Sequence, residues 1–409
     1  MDLLTALGVA ALLVRVGIAL YATGTVRAKN AGGAVLRIIA DLCIAVLAFW
    51  AVGTAFLFGE NHSFLSVNAP LLFGRGTAPG AMPIILIHLA MILTASSAVG
   101  LTVAERSRFL PLCAASLVLA GFVFPVAGQW AWRGWLMRRG YFDLAGASTL
   151  HVAAGVFAAV AAAIVGPRNG KFNRDGSSAI MPGHNLPLLS VGALLMFVGW
   201  APYIAGASLA HLRIAPGTEV IYAAPGAFNA LLAGAAAGLA SLLYSQLRYG
   251  KPDIMLVVTG LLGGLVSVSA GATAMPAWAA VSIGAVAGVV VPLAAVTIDL
   301  RGRLDDPGGI IAIHAVGGAL GTLAVAFVLP VTPAPSRFQQ FGIQLLGLLS
   351  IALFSAVVAL LLFFILKKTV GIRSKEADEF DGLDLAEHDI GAYPDFQQTT
   401  IKSYHLREV

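Results

Sequence analysis

"DLAGASTLH" (143–151) and "DPGGIIAIH" (306–314) share one pattern: Asp first, Gly three positions on, His eight positions on. Each stretch opens a strongly apolar run. An Asp just ahead of such a run reads as a helix N-cap that accepts free backbone amides, and Pro307 suits a first helical position. At about 1.5 Å per residue, eight residues carry each imidazole roughly 12 Å along its helix. That distance is close to the half-thickness of a bilayer's hydrocarbon core, about 15 Å.

Composition supplies the bilayer. Of 409 residues 58% are hydrophobic and 11% charged, against about 25% charged in soluble domains, so the chain is an all-α integral membrane protein. Eleven apolar runs are expected to span, near 3–24, 32–58, 83–103, 109–129, 144–166, 185–211, 220–246, 253–274, 276–298, 307–331 and 340–366. Pro225 interrupts the start of the seventh. Met1 is followed by Asp2 rather than a basic segment, so the first run reads as a retained helix and not a signal peptide.

Basic residues set the orientation. The loops after runs one, three, five, seven and nine hold eleven Lys and Arg, and the opposite loops hold six, Arg133, Arg138 and Arg139 among them. The N-terminus is therefore expected outside and the charged tail in the cytoplasm. The same scatter over short loops makes the basic balance a membrane signal rather than a nucleic-acid one. Runs five and ten then start at opposite faces and bring His151 and His314 to the midplane from opposite sides. That is the arrangement expected of an inverted five-plus-five repeat with a shared central site.

The plainer readings are that each Asp only caps and each His only bonds across helices. Matched depth in opposed helices favours a pathway, because ionisable groups are costly there. Cys43 and Cys113 both fall in apolar runs and imply neither a disulfide nor a metal site. No phosphate loop, metal-ligand spacing or nucleophile–base constellation is visible, so neither a cofactor nor an enzyme activity is expected. Small residues at four-residue spacing, Gly234 with Gly238, Gly284 with Gly288 and Gly317 with Gly321, read as close helix packing.

Seven ordered stretches carry a family likeness: "GIALYATGTVRAKN" (17–30), "AERSRF" (104–109), "DLAGASTLH", "HNLPLLSVGALLMFVGW" (184–200), "YGKPDIMLVVTGLLGGLVS" (249–267), "DDPGGIIAIHAVGGALG" (305–321) and "GLDLAEHDIGAYP" (382–394). Together they resemble the ammonium transporter (Amt/Rh) family over nearly the whole chain. The resemblance implies a homotrimer in the cell membrane, each protomer with its own hydrophobic pore. His151 and His314 match the family's twin pore histidines. Asp143 matches the acid at the base of the outer vestibule, and Trp132 the tryptophan of the outer ammonium site. Trp200 and Tyr203 fall where the family carries a Trp and a gating Phe.

Two departures stand out. Ala207 replaces a hydroxyl-bearing Ser of the outer site. Met91 stands where one of two stacked Phe rings belongs, and no Phe, Tyr or Trp occurs between Pro83 and Arg108. Tyr203 is then the single ring expected at that level, so ammonium recognition is retained and fast conduction is not expected.

Residues 1–368 form the expected membrane domain and 369–409 the cytoplasmic tail. The tail motif, with Gly382, Asp384, Glu387, His388, Tyr393 and Pro394, resembles segments that contact a neighbouring protomer and answer to cytosolic nitrogen-signalling proteins. The function implied is recognition of ammonium and passage of ammonium or ammonia. The alternative is an ammonium sensor that binds the ion, transports little, and signals through its tail to such a protein or a fused signalling domain.

Overall fold

A computed structural model describes residues 2–59, 64–212, 219–329 and 336–393. Pro394 lies outside the described residues. Within them the chain is helical, with isolated bridges Ser107–Arg373 and Phe172–Ser178 in place of strands. Nine described helices are long and apolar enough to cross a membrane. They are α1 (Leu3–Thr25), α2 (Ala28–Leu57), α3 (Pro79–Thr102), α4 (Phe109–Arg138), α5 (Ala147–Val165), α6 (Leu186–His211), α7 (Ile221–Tyr249), α9 (Ala277–Leu300) and α11 (Arg337–Thr369). Two shorter apolar helices, α8 (Ile254–Val268) and α10 (Ala312–Val328), complete the order.

Most bounds fall within a few residues of the apolar runs, because length and hydropathy dominate inside a bilayer. Two differ by more: α8 was expected to reach residue 274 and ends at Val268, and α4 differs at its C-terminal end. Helix α4 was expected to end near residue 129 but runs on to Arg138. A π-helical turn at Gln129–Arg133 carries it through Trp132 and Arg133, and Gly134, at φ −99° and ψ −145°, kinks it before a last turn at Trp135–Arg138. Those residues are therefore on a helix and not in a loop. Pro225 is likewise inside an unbroken helix.

Close packing is confirmed at some of the glycines read for it. A Cβ at Gly284 or Gly288 would lie 2.2 Å from the carbonyls of Ala233 and Ala237, and one at Gly321 would lie 2.0 Å from that of Ser267. Backbones touch at these crossings, which only glycine permits. Gly238 is different: its nearest neighbour would be 3.5 Å away, an ordinary contact. Inside the apolar bundle Arg15 and Asp41 neutralise each other at 2.6 Å, with Ser96 donating to the same carboxylate oxygen at 2.7 Å.

At the tail end a buried charge network joins the connections between helices. Glu105 pairs with Arg27 and Arg168, and Asp305 pairs with Arg168 at 2.8 Å and Arg106 at 3.6 Å. Burial works against the Asp305 carboxylate, but hydrogen bonds from Arg168 and the charge of Arg106 hold its pKa below the usual range. Asp306 next door goes the other way: desolvation, aided by the charge of Asp305, lifts it to about 6.

A carboxyl raised in the folded state binds its proton better when folded. Its contribution to stability therefore falls as pH rises from about 4 to about 6 and stays unfavourable above that. Asp306→Asn is expected to raise the melting temperature at pH 7, by the equivalent of about 3 kcal/mol, and to leave it unchanged near pH 4. Scanning fluorimetry at the two pH values checks this, and an equal shift at both would refute it.

Two short tail helices, α12 (Glu376–Asp381) and α13 (Leu383–His388), dock on the chain's own bundle. Asp384 accepts from the amides of Gly32 at 2.8 Å and Gly33 at 2.6 Å, capping the start of α2. Glu387 pairs with Arg37 at 3.0 Å and accepts from the Phe109 amide at the start of α4. His388 meets the Phe109 ring edge-on, and the Tyr393 hydroxyl contacts His184 at 2.7 Å. Gly382 turns the chain between the two helices at φ +113°.

Candidate functional site

The two Asp-Gly-His stretches meet at the centre of the bundle, though not by the expected geometry. Neither Asp is the N-cap residue. Helix α5 starts only at Ala147, and its cap position is Gly146 in the left-handed conformation at φ +81°. Gly309 holds the corresponding place at φ +64°. This explains the shared third position: the chain turns through a conformation that side chains disfavour before the helix begins. Each Asp reaches over that turn. Asp306 Oδ2 accepts from the Ile311 amide at 2.6 Å.

Asp143 does more. Oδ1 accepts from the Ala147 amide at 2.7 Å. Oδ2 accepts from the amides of Ser148 and Thr149, at 3.0 and 2.9 Å, and from both their hydroxyls at 2.8 Å. The carboxylate is thus fully spent on the start of α5, and its charge reaches the site through those amides and through space.

His151 lies only five residues into its helix, so helical rise over eight residues is not what places it. Both histidines sit in π-helical turns, Ala147–Val152 and Ala312–Val316. Such turns insert an extra residue into the helical ladder and are common at functional sites. Here they aim two imidazoles at one another, with Nδ1 to Nδ1 at 2.9 Å. His151 is fully buried and His314 nearly so, and the Nε2 of His151 has no hydrogen-bond partner in the protein.

Trp200 stacks on His151 at 5.4 Å between ring centroids and donates its indole N–H to Ser269 Oγ at 3.2 Å. Tyr203 stands edge-on to Trp200 and donates its hydroxyl to the carbonyl of Ala145. A cavity of about 30 Å³ lies against His314 and Trp200, lined also by Ile18, Tyr21 and Thr94, with room for a water or an ammonia.

Met91 and Ala207 are completely buried. Trp132 is half-buried, its indole N–H donating to the backbone carbonyl of Asp143 at 2.5 Å. Two further rings stand at Trp132 that the reading of the apolar runs did not single out. His88 and His211 crowd Trp132, with His211 stacked on the indole at 4.2 Å and 20° and His88 standing edge-on at 5.5 Å. An aromatic search passes over both, and the signal that finds them is a titratable residue inside an apolar run.

The structure thus brings Trp132, Asp143, His151, Trp200, Tyr203 and His314 into one column. The tail residues Gly382, Asp384, Glu387, His388 and Tyr393 form a separate cluster.

The chain matches the model of the Ammonium Transporter Family over residues 3–393. It is similar to ammonium transporter Amt2 of Archaeoglobus fulgidus, 31% identical over 95% of this chain and 87% of that one. Likeness to ammonium transporter Amt1 of Haloferax mediterranei is 32% over 93% and 76%. Among solved structures it is similar to a protein described as Sensor Amt Protein, with TM-score 0.88 and 30% identity over 94% of this chain and 97% of that one. Candida albicans Mep2 shares the fold, with TM-score 0.83 and 21% identity over 100% and 93%. With its apolar helices and a family match from residue 3 to residue 393, the chain is a multi-pass membrane protein and belongs to the ammonium transporter family.

Proposed function

We propose that this chain binds ammonium at the Trp132 end and passes it, as ammonium or ammonia, through a pore in each protomer of a homotrimer, at a rate held down by the closed stretch at Met91. The observation that carries this reading is the His151–His314 contact at 2.9 Å in opposed π-helical turns, with one ring nitrogen left open. Ammonium and potassium are similar in size, so selection must use the N–H bond. Neutral imidazoles give and accept hydrogen bonds without placing a fixed charge in the apolar column. Trp132 offers a cation–π face worth about 0.5–2 kcal/mol. Potassium has no proton to leave behind.

The eleven apolar helices fit an inverted five-plus-five repeat with the N-terminus outside and the tail inside, the Trp132 end then facing out. Residues 1–368 would form the membrane domain. Residues 369–409 would form the tail, a platform for a cytosolic nitrogen-signalling protein or a fused signalling domain. Relatives named as transporters fit a protein without enzyme activity.

The second reading is a receptor, and a specific observation favours it. His211 covers the indole face that would admit a cation, and one structural relative is described as a sensor. Ammonium pulses on proteoliposomes over a solid-supported membrane separate the two. A sustained, concentration-dependent current is the expected result, and a brief binding transient alone would give the receptor the better claim.

Met91→Phe with Ala207→Ser should raise the steady current several-fold, by restoring a flat ring and a hydroxyl acceptor. Both sites are fully buried, so the added volume is expected to cost about 1–3 kcal/mol of stability. If the parent already conducts freely and the double variant matches it, the constriction is elsewhere.

A further inference from the structure

His88 and His211 present a proton count that the column below them does not. The Nδ1 of His88 lies 2.7 Å from the carbonyl oxygen of Ile84, and the Nδ1 of His211 lies 2.6 Å from that of Leu144. A carbonyl only accepts, so both Nδ1 atoms must carry hydrogen. The two Nε2 atoms then face each other at 3.0 Å. With both rings neutral, two lone pairs would be pressed together there. One further hydrogen satisfies the contact. Three protons on four ring nitrogens make the pair a cation.

Burial works against a charge there, His88 being 4% exposed, and the flanking rings work for it. The stacked face of Trp132 is against His211 at 4.2 Å, and Phe58 meets His88 at 5.6 Å, so aromatic rings flank the charge. The titratable and charged groups facing the pair from the packed elements are few. Arg133 on α4 opposes a positive charge, and it lies over the Phe58 ring at 5.1 Å. Asp143 on the connection into α5 favours one, although its carboxylate oxygens are committed to residues 147–149. Tyr203 on α6 is held to the Ala145 carbonyl, and His151 and His314 lie deeper.

We propose that His88 and His211 share one proton as a resident cation on the Trp132 face, and that an ammonium ion binds there by displacing it. One ammonium enters, one proton leaves to the surrounding water, and the net charge of the site is unchanged. The freed Nε2 lone pairs accept N–H bonds from ammonium as the rings part, an interaction potassium cannot make. The inference rests on the reading that Trp132 receives ammonium, and it adds that acid competes with the ligand.

The test uses the full chain in nanodiscs. Calorimetric titration with ammonium chloride in two buffers of different ionisation enthalpy, at one pH, should report about one proton released per ammonium bound. Affinity should rise about tenfold per pH unit over the acid range. His211→Gln should remove the proton release and flatten that pH dependence. Nitrogen NMR of histidine-labelled protein without ammonium should show three protonated nitrogens in the pair.

Ammonium binding without proton release overturns the proposal, and so does a neutral pair by NMR. The two ideas fail differently. Absence of any ammonium binding removes the underlying reading and the coupling together, while the NMR result on the wild-type chain decides the shared proton without reference to ammonium or to the folding of a variant.

Discussion

Alanine at either His151 or His314 is expected to reduce ammonium flux to the background of empty vesicles, with the assembled protein still eluting at wild-type size. The two rings are each other's partners at 2.9 Å. Removing one leaves the other buried with an unmet ring nitrogen, a cost of about 1–3 kcal/mol, which a bundle of this size should survive. What it cannot survive functionally is the gap in the hydrogen-bonding column, since neither Trp200 nor Tyr203 has a free donor: the indole N–H is given to Ser269 and the hydroxyl hydrogen to Ala145. Flux and gel-filtration size are measured together. Wild-type flux in both variants would remove the pore role from the pair.

Asp143→Ala should show the largest loss of stability of any single substitution in the site. Its carboxylate collects three backbone amides and two hydroxyls. The hydroxyls can turn elsewhere. The amides of Ala147, Ser148 and Thr149 cannot, and at about 1–3 kcal/mol for each unmet buried donor the total reaches several kcal/mol, a large share of a typical folding free energy of about 5–15 kcal/mol. Asp143→Asn is milder. With its amide oxygen in the Oδ2 position it keeps four contacts and opposes only the Ala147 amide, at a cost of about 1–3 kcal/mol. It should therefore yield folded protein with weakened ammonium binding. Thermal unfolding followed by size exclusion ranks the variants. An alanine variant as stable as the asparagine one would mean the carboxylate does not organise the start of α5.

The helices were legible because hydropathy over about twenty residues is a strong signal in a bilayer. The pairing of His151 with His314 was legible for a different reason: a repeated spacing needs no knowledge of geometry. The means by which they meet was not. Left-handed turns at Gly146 and Gly309 and π-helical turns at both histidines leave no hydrophobic period to read. The continuation of α4 to Arg138 was hidden for the same reason, since its last turns carry Arg133 and Arg138 and look like a loop. His88 and His211 are far apart in the chain, and only the crossing of α3 with α6 brings them together. The likeness to known relatives supplied no position for either.

On either side of the His151–His314 pair, a glycine lets the two histidine-bearing segments come into backbone contact. A Cβ at Gly155 would fall 2.4 Å from the Ala315 amide nitrogen, and one at Gly318 would fall 2.2 Å from the Ala147 carbonyl oxygen. Main chain rests on main chain on both sides of the pair, like the jaws of a calliper closed on a fixed gauge. A protein that pumped by rocking its halves would have to open this contact on every cycle, and nothing here is compressible enough to yield. The spacing of the two rings is therefore a constant of the fold. What remains variable at the centre is small and fast: the position of a proton between two nitrogens, and the presence or absence of one molecule beside them.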